Sequence, residues 1–229
     1  LQQFKIDKWK CLATDQIWMA DNFLKDADVD FILDSWNSSA KYQEVAQSGM
    51  KYLVTPTNYH YNNVTNRVEN YYEIQQKVLT DLNLFYKSVF GKTAPTKDLS
   101  YMQYFLKTVV PNVSFYDLHS EPSIDEEHHF GDAVFMLYLS DEIDGEIIFP
   151  NEEDAQPHIT PAYKETCNLI NVKYVKETVS ITPKRNRCVV LRTGVPHYVN
   201  KCSGMRYCIS GMSFADADYK NRWKQYKDD

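Results

Sequence analysis

The chain reads Tyr116-Asp117-Leu118-His119-Ser120-Glu121 and then, after an acidic and histidine-rich turn, Ala133-Val134-Phe135-Met136-Leu137-Tyr138-Leu139. The second run is short and apolar, the pattern of a strand. In the first, His119 and Glu121 stand two residues apart. Side chains alternate along a strand, so both would point from one face. An imidazole and a carboxylate on one face, joined by a distant histidine, make half of an octahedral shell and leave three positions open. His197 is the downstream histidine that completes such a set. Taken alone, the pair also fits a hydrogen-bonded core histidine beside a solvated glutamate, so the reading depends on its surroundings.

Three features support it. His197 follows Gly194-Val195-Pro196 at the start of the last pair of strands, from which it can return to a metal. Arg206 comes nine residues later, across a tight turn at Ser203-Gly204. A hairpin there is expected to bring the two residues together on adjacent strands, with a guanidinium able to grip a carboxylate bidentately. Tyr138 lies on the strand leaving the first ligand pair, where its phenol can bond the same carboxylate. Fe(II) on His119, Glu121 and His197, with Arg206 near it, suits 2-oxoglutarate as cosubstrate. The 2-oxo acid end would chelate the metal and the far carboxylate would meet the arginine. His128 and His129 offer a rival first ligand, but Asp132 falls three residues after His129, the wrong side of a strand. That pair reads as a loop at the mouth of the site, and His60 and His158 read as surface residues.

From position 99 onward the texture is that of strands. Short apolar or alternating runs at Ser100–Leu106, Ser114–Leu118, Ala133–Leu139, Glu146–Phe149, Val179–Thr182, Arg187–Leu191 and Met205–Met212 are separated by turn residues. Such spacing reads as a sandwich or barrel. Upstream, Ile17–Ala20 reads as a strand, Asp21–Leu24 as a turn, and Asp26 to about Trp36 as a helix capped by Asp26. Lys51–Thr55 reads as a further strand and Pro56–Thr65 as a polar, aromatic loop. Asn66 to Phe90 has apolar residues at three- and four-residue spacing, with Gly91 at the C-terminal cap position. The expected class is α+β: a double-stranded β-helix (jelly-roll) core with N-terminal packing helices. One domain is expected over 1–229, with a support region at 1–98, the core at 99–214 and a charged tail at 215–229. Asn151–Lys176 reads as a long insertion of the kind that forms functional lids.

Bulk properties narrow the function classes. Hydrophobic residues make up 43% and charged residues 24% of the 229, enough for an ordinary packed core. A net charge of −6 argues against nucleic acid or an anionic membrane as partner. No apolar run of about 18 residues is present, and no signal peptide is visible. A cytoplasmic location is therefore expected, and a leader removed ahead of Leu1 is compatible with the start of the chain. The five cysteines, Cys11, Cys167, Cys188, Cys202 and Cys208, are odd in number and irregularly spaced, so reduced buried thiols are expected. Cys202 and Cys208 flank a turn and could pair in an oxidising compartment. A monomer or weak dimer is expected.

At these residues the sequence resembles the Fe(II)/2-oxoglutarate dioxygenases, in particular their prolyl 4-hydroxylase-like branch. Asp21-Asn22-Phe23-Leu24 with the acidic helix after it resembles that branch's lead-in segment. Tyr104 and Tyr116-x-x-His119-x-Glu121 resemble its first core strands and ligand pair. Leu137-Tyr138-Leu139-Ser140-Asp141, Gly145-Glu146 and Phe149-Pro150 resemble its middle hairpin, and Thr182-Pro183-Lys184 through His197 to Arg206 its closing strands. There are departures. Glu121 stands where the family usually has Asp. Arg206 stands where many members carry Lys, at a spacing closer to the oxygen-sensing prolyl hydroxylases. The usual double glycine is reduced to Gly145, and the insertion at Asn151–Lys176 is longer than in the simplest members.

The resemblance implies Fe(II) on His119, Glu121 and His197, and 2-oxoglutarate on Arg206, Tyr138 and Tyr104. O2 is the second substrate, and ascorbate is compatible as reductant. The implied reaction is hydroxylation of a prolyl residue in a peptide or protein, with release of succinate and CO2. Tyr59, Tyr61 and Tyr116 are candidate substrate contacts, since the loop Tyr59-His60-Tyr61 could stack on a proline-rich strand. The same aromatics serve equally as packing caps. Rival readings are a hydroxylase of a free amino acid or other small metabolite, a jelly-roll binding module without oxidation chemistry, and a cupin-like enzyme that uses another metal without 2-oxoglutarate. Glu121 in place of Asp favours the binding module, and a preserved Arg206 speaks against it.

Overall fold

The structure is a computed structural model and describes residues 8–38, 43–47, 50–54, 71–90, 102–109, 116–120, 133–141, 144–159, 172–203 and 206–213. Helix α1 (Asp26–Ser38) carries Asp26 and Asp28 in its first turn, where the positive end of the helix dipole favours carboxylates. Val29, Ile32 and Ser35 recur every three residues and are buried. Helix α2 (Tyr71–Phe90) buries Val78, Leu79, Leu82, Phe85 and Tyr86, the rhythm of a single apolar face. Lys77 of α2 reaches Asp28 of α1 at 2.7 Å and joins the two helices.

The strands are β1 (Trp9–Ala13), β2 (Ile17–Ala20), β3 (Gln43–Gln47), β4 (Met50–Val54), β5 (Met102–Val109), β6 (Tyr116–His119), β7 (Ala133–Tyr138), β8 (Ile147–Phe149), β9 (Val179–Ile181), β10 (Arg187–Arg192), β11 (His197–Val199) and β12 (Arg206–Ser213). Among the described residues they form two antiparallel sheets. The larger has eight strands in the order β1-β2-β10-β7-β12-β5-β4-β3, and the smaller has four in the order β6-β11-β8-β9. The class is mixed α and β with antiparallel sheets.

Strand alternation divides the core into two layers. Ala133, Phe135 and Leu137 of β7, Cys188 and Val190 of β10, and Ile209 of β12 pack with α1 and α2. Their neighbours Val134 and Tyr138, Val189 and Leu191, and Cys208 face the other way. There they meet Ile147 and Phe149 of β8, Ile181 of β9 and Val199 of β11. Helices, large sheet and small sheet are thus stacked in that order, and the space between the sheets is lined by alternate residues of both.

Asn186 fastens the lead-in segment to this frame. Its backbone is left-handed, φ 61°, a region that asparagine tolerates better than most residues. The side chain accepts from Leu24 N at 2.8 Å and donates to Leu24 O at 2.8 Å and to Asp26 Oδ1 at 3.2 Å. Its main-chain oxygen accepts from Phe23 N, and its own N–H donates to Tyr138 O at 2.8 Å. Beside it, Arg187 forms a two-pronged pair with Asp21, Nε–Oδ1 2.7 Å and Nη2–Oδ2 3.0 Å. The guanidinium's hydrogen bond to Asp21 holds that carboxyl below the usual carboxylate range, outweighing its partial burial.

Several expectations are corrected. His197 and Arg206 are not on a hairpin: β11 belongs to the small sheet and β12 to the large one, so the chain crosses between layers. The strands expected at Ile17–Ala20 and Lys51–Thr55 are present as β2 and β4, and with β1 and β3 they extend the large sheet on both flanks. Strands β1 and β3 had no apolar run to announce them. Cys202 and Cys208 are buried, unbridged thiols. The first part of the expected insertion is a short helix, α3 (Glu152–Ala155), capped by Asn151 Oδ1 on Asp154 N at 2.8 Å and followed by a 3-10 turn, Gln156–His158. Ala155 there packs with Leu118 on the outer face of the small sheet. Residues 160–171, the tail from 214, Tyr59, Tyr61, Glu121, His128 and His129 lie outside the described residues. Among the described residues no helix is long and apolar enough to cross a membrane.

Candidate active site

The two imidazoles are brought together by strand register. His119 ends β6 and His197 begins β11, and their Cα atoms are direct partners in the antiparallel pair. Directly opposed residues share a face. The ring centroids are 4.2 Å apart and the planes tilted by 56°. His197 is 3% exposed. Its Nδ1 lies 3.1 Å from Val195 O. A carbonyl can only accept, so Nδ1 is the donor of this contact, which in a neutral ring is the tautomer with its lone pair on Nε2. That tautomer and orientation suit a metal ligand, since ligating histidines commonly donate their other N–H to a carbonyl. Phe149 of β8 lines the same place, its ring 5.7 Å from that of His197.

The second half of the site lies on the large sheet. Cys208 of β12 is the register partner of Tyr138 on β7. Arg206, two residues before Cys208, therefore shares its pleat and faces the small sheet. The Arg206 Cζ stands 6.0 Å from the Tyr138 ring centroid. Arg206 is only 4% exposed. Its Nη1 donates to Gly145 O at 2.7 Å, across the gap between sheets. Its Nε is buried without a hydrogen-bond partner among the described residues. Burial pushes the Tyr138 phenol up to about 12, the arginine charge opposing that rise, so the hydroxyl is neutral at ordinary pH.

Other expected site residues are distributed as follows. Tyr104 lies on β5 with its Cα opposite Gly211. Its side chain lies outside the described ones. Tyr116 is the register partner of Val199, across an irregularity in the β6–β11 pairing. His158 is exposed, with its ring stacked 4.3 Å from that of Tyr198. Three contributors went unread in the sequence: the Val195 carbonyl, the Phe149 ring and the Gly145 carbonyl. Gly194 and Gly145 were the available signals, since both have positive φ and both stand at or beside these carbonyls.

Two of the three expected metal ligands and the expected cosubstrate arginine are among the described residues. Among the described residues no group of three His, Cys, Asp or Glu side chains is close enough to hold a metal. Two imidazoles are in place, and Glu121 is the residue immediately after the described Ser120. A buried guanidinium with an unmatched N–H is costly unless an anion meets it. A ligand carboxylate would satisfy it.

No protein-family model matches the sequence, and neither does any curated protein. Solved structures do. A Pseudomonas putida prolyl-4-hydroxylase superposes with a TM-score of 0.57 at 12% identity, over 89% of this chain and 95% of that one. A Trichoplax adhaerens prolyl hydroxylase, in complex with a hypoxia inducible factor oxygen degradation domain peptide fragment, gives 0.56 at 13% identity over 92% and 87%. At such identities the likeness is one of architecture, and on that ground the chain carries a prolyl hydroxylase-like fold.

Proposed function

We propose that the protein is an Fe(II)- and 2-oxoglutarate-dependent dioxygenase that hydroxylates a prolyl residue in a peptide or protein. The observation that carries this reading is the buried Arg206, with one donor on Gly145 O and Nε unmatched among the described residues, on the pleat that faces the histidine-bearing sheet. His119, Glu121 and His197 would hold the metal. Arg206 would take the far carboxylate of 2-oxoglutarate, and the Tyr138 hydroxyl, kept protonated by burial, would donate to the same group. When bound, Fe(II) with 2-oxoglutarate and O2 supplies oxidative decarboxylation to succinate and CO2, coupled to hydroxylation of a substrate C–H bond. The chain's own task is orientation and exclusion of water. His197 is held in one tautomer by Val195 O, and Phe149, Val199 and Ile147 give the space between the sheets apolar walls. The two sheets would then be the halves of a double-stranded β-helix.

A peptidyl substrate is favoured over a free metabolite because the Trichoplax adhaerens protein of like fold is in complex with a peptide fragment. The test is anaerobic addition of Fe(II) and 2-oxoglutarate, watched for the visible charge-transfer band of the chelate. The band should form, vanish in His197→Ala, and need more 2-oxoglutarate in Arg206→Ala. Iron binding without a band would replace this reading with a cupin-like one. No iron binding at all would leave a binding module. Succinate release with proline-rich peptides against free amino acids then decides the substrate class.

A further inference from the structure

Two loops meet over Arg206. Residues 144–146 lead into β8, and residues 200–203 leave β11. They are laced together by Asn200 N on Glu146 O at 3.0 Å, Asn200 Nδ2 on Glu146 Oε2 at 3.3 Å, and Ser203 N on Asp144 Oδ1 at 2.8 Å. Ser203's donors hold the Asp144 carboxyl below its usual range, so it is an ionised acceptor at neutral pH. Between these ties stands Gly145, whose carbonyl takes Arg206 Nη1 at 2.7 Å. Its φ of 78° is a conformation that L side chains rarely adopt. A Cβ on it would lie 2.8 Å from Cys202 Cβ and 3.2 Å from Arg206 Nη1. Glycine is thus required twice over, to turn the carbonyl toward the guanidinium and to let the 200–203 loop close against it.

We propose that the Asp144–Gly145 turn is a positioning element for Arg206: the Gly145 carbonyl pins one end of the guanidinium, and this selects the edge that meets the far carboxylate of a 2-oxo dicarboxylic acid. The proposal rests on the cosubstrate reading above. A guanidinium pinned at one end has less rotamer freedom to lose on binding, which favours affinity for a ligand that uses its remaining donors. Neither Asp144 nor Gly145 touches that ligand in this account; both act through the arginine. A 2-oxo acid without a far carboxylate gains nothing from the device, which separates positioning from general upkeep of the fold.

The experiment uses Ni(II)-loaded protein, which binds without turnover, and calorimetric titration with 2-oxoglutarate and with 2-oxobutyrate, which lacks the far carboxylate. The wild type should prefer 2-oxoglutarate. Asp144→Ala removes the Ser203 tie, and Gly145→Ala displaces the loop or the arginine. Each should weaken 2-oxoglutarate by about tenfold while 2-oxobutyrate and Ni(II) change by less than about twofold. Asp144→Asn keeps an acceptor oxygen and should restore the preference. Should Gly145→Ala not fold, the half-exposed Asp144 supplies the decisive variant. Parallel weakening of both 2-oxo acids, or no change in either, overturns the positioning role. A wild type that binds the two equally overturns the cosubstrate reading itself, and the proposal with it.

Discussion

Replacing Asn186 by alanine removes three side-chain hydrogen bonds at one stroke. Two of them satisfy both main-chain groups of Leu24, which is 8% exposed, so water cannot readily replace them. Leaving a buried polar group unmatched costs about 1–3 kcal/mol, and two such groups cost about 3 kcal/mol together. Alanine at φ 61° adds about 1 kcal/mol relative to a residue that tolerates the left-handed region. The expected loss for Asn186→Ala is therefore about 4 kcal/mol, a large fraction of the roughly 5–15 kcal/mol typical of a domain. Asn186→Gly suffers the same lost bonds without the conformational term and should be about 1 kcal/mol more stable than the alanine variant. Urea unfolding followed by fluorescence gives both numbers, provided the slope with denaturant is unchanged. A loss below about 1 kcal/mol in Asn186→Ala, or a glycine variant no better than alanine, would refute the account of this residue as the clasp of the lead-in segment.

Three further outcomes are expected. Arg206→Met exchanges a buried, incompletely bonded cation for an apolar chain, so the ligand-free protein should be about 1 kcal/mol more stable in urea; a loss above about 2 kcal/mol would make Arg206 a structural residue instead. Tyr138 has a folded pKa of about 12 against 10.0 in the unfolded chain. The folded state therefore holds this proton more tightly, and the stability it contributes is complete below pH 10 and lost as pH rises to about 12. That is worth about 3 kcal/mol and should be absent from Tyr138→Phe, compared by urea unfolding across that range. Asp21 behaves in the opposite sense: its carboxyl is depressed in the folded state, so its contribution is present above the unfolded pKa and lost as pH falls through the folded one. Asp21→Asn should cost about 1 kcal/mol at neutral pH, with the difference from wild type closing on acidification; a difference constant with pH would show that the Arg187 pair is not ionic.

Much of this was legible because the relevant signals are local. Strands β7, β8, β10 and β12 are short apolar or alternating runs, and α2 has a clear three- and four-residue rhythm. His197 and Arg206 are singled out in the sequence by the turn residues around them. What failed was relation across layers. A nine-residue spacing with a Ser203-Gly204 turn fits a hairpin, and only the competition of β6 and β8 for β11, and of β5 and β7 for β12, sends the two strands to different sheets. Strand β1 was missed because its Lys10 and Cys11 are exposed, so no apolar run marks it.

The same crossing of layers explains how so few side chains make up the proposed site. The small sheet contributes the imidazoles and the large sheet the guanidinium and phenol, so neither sheet alone holds a complete constellation. At each end a main-chain carbonyl contacts the side chain. Val195 O fixes the His197 ring and follows Gly194, whose φ is 84°; Gly145 O fixes Arg206, and its own φ is 78°. Among the described residues these are the glycines with positive φ. Each turn sits at the start of a small-sheet strand, Gly145 before β8 and Gly194 before β11. Because β8 and β11 are hydrogen-bonded neighbours, a shift in their register would move the histidine and the arginine's anchor together, which ties the geometry of both ends of the site to one strand pair.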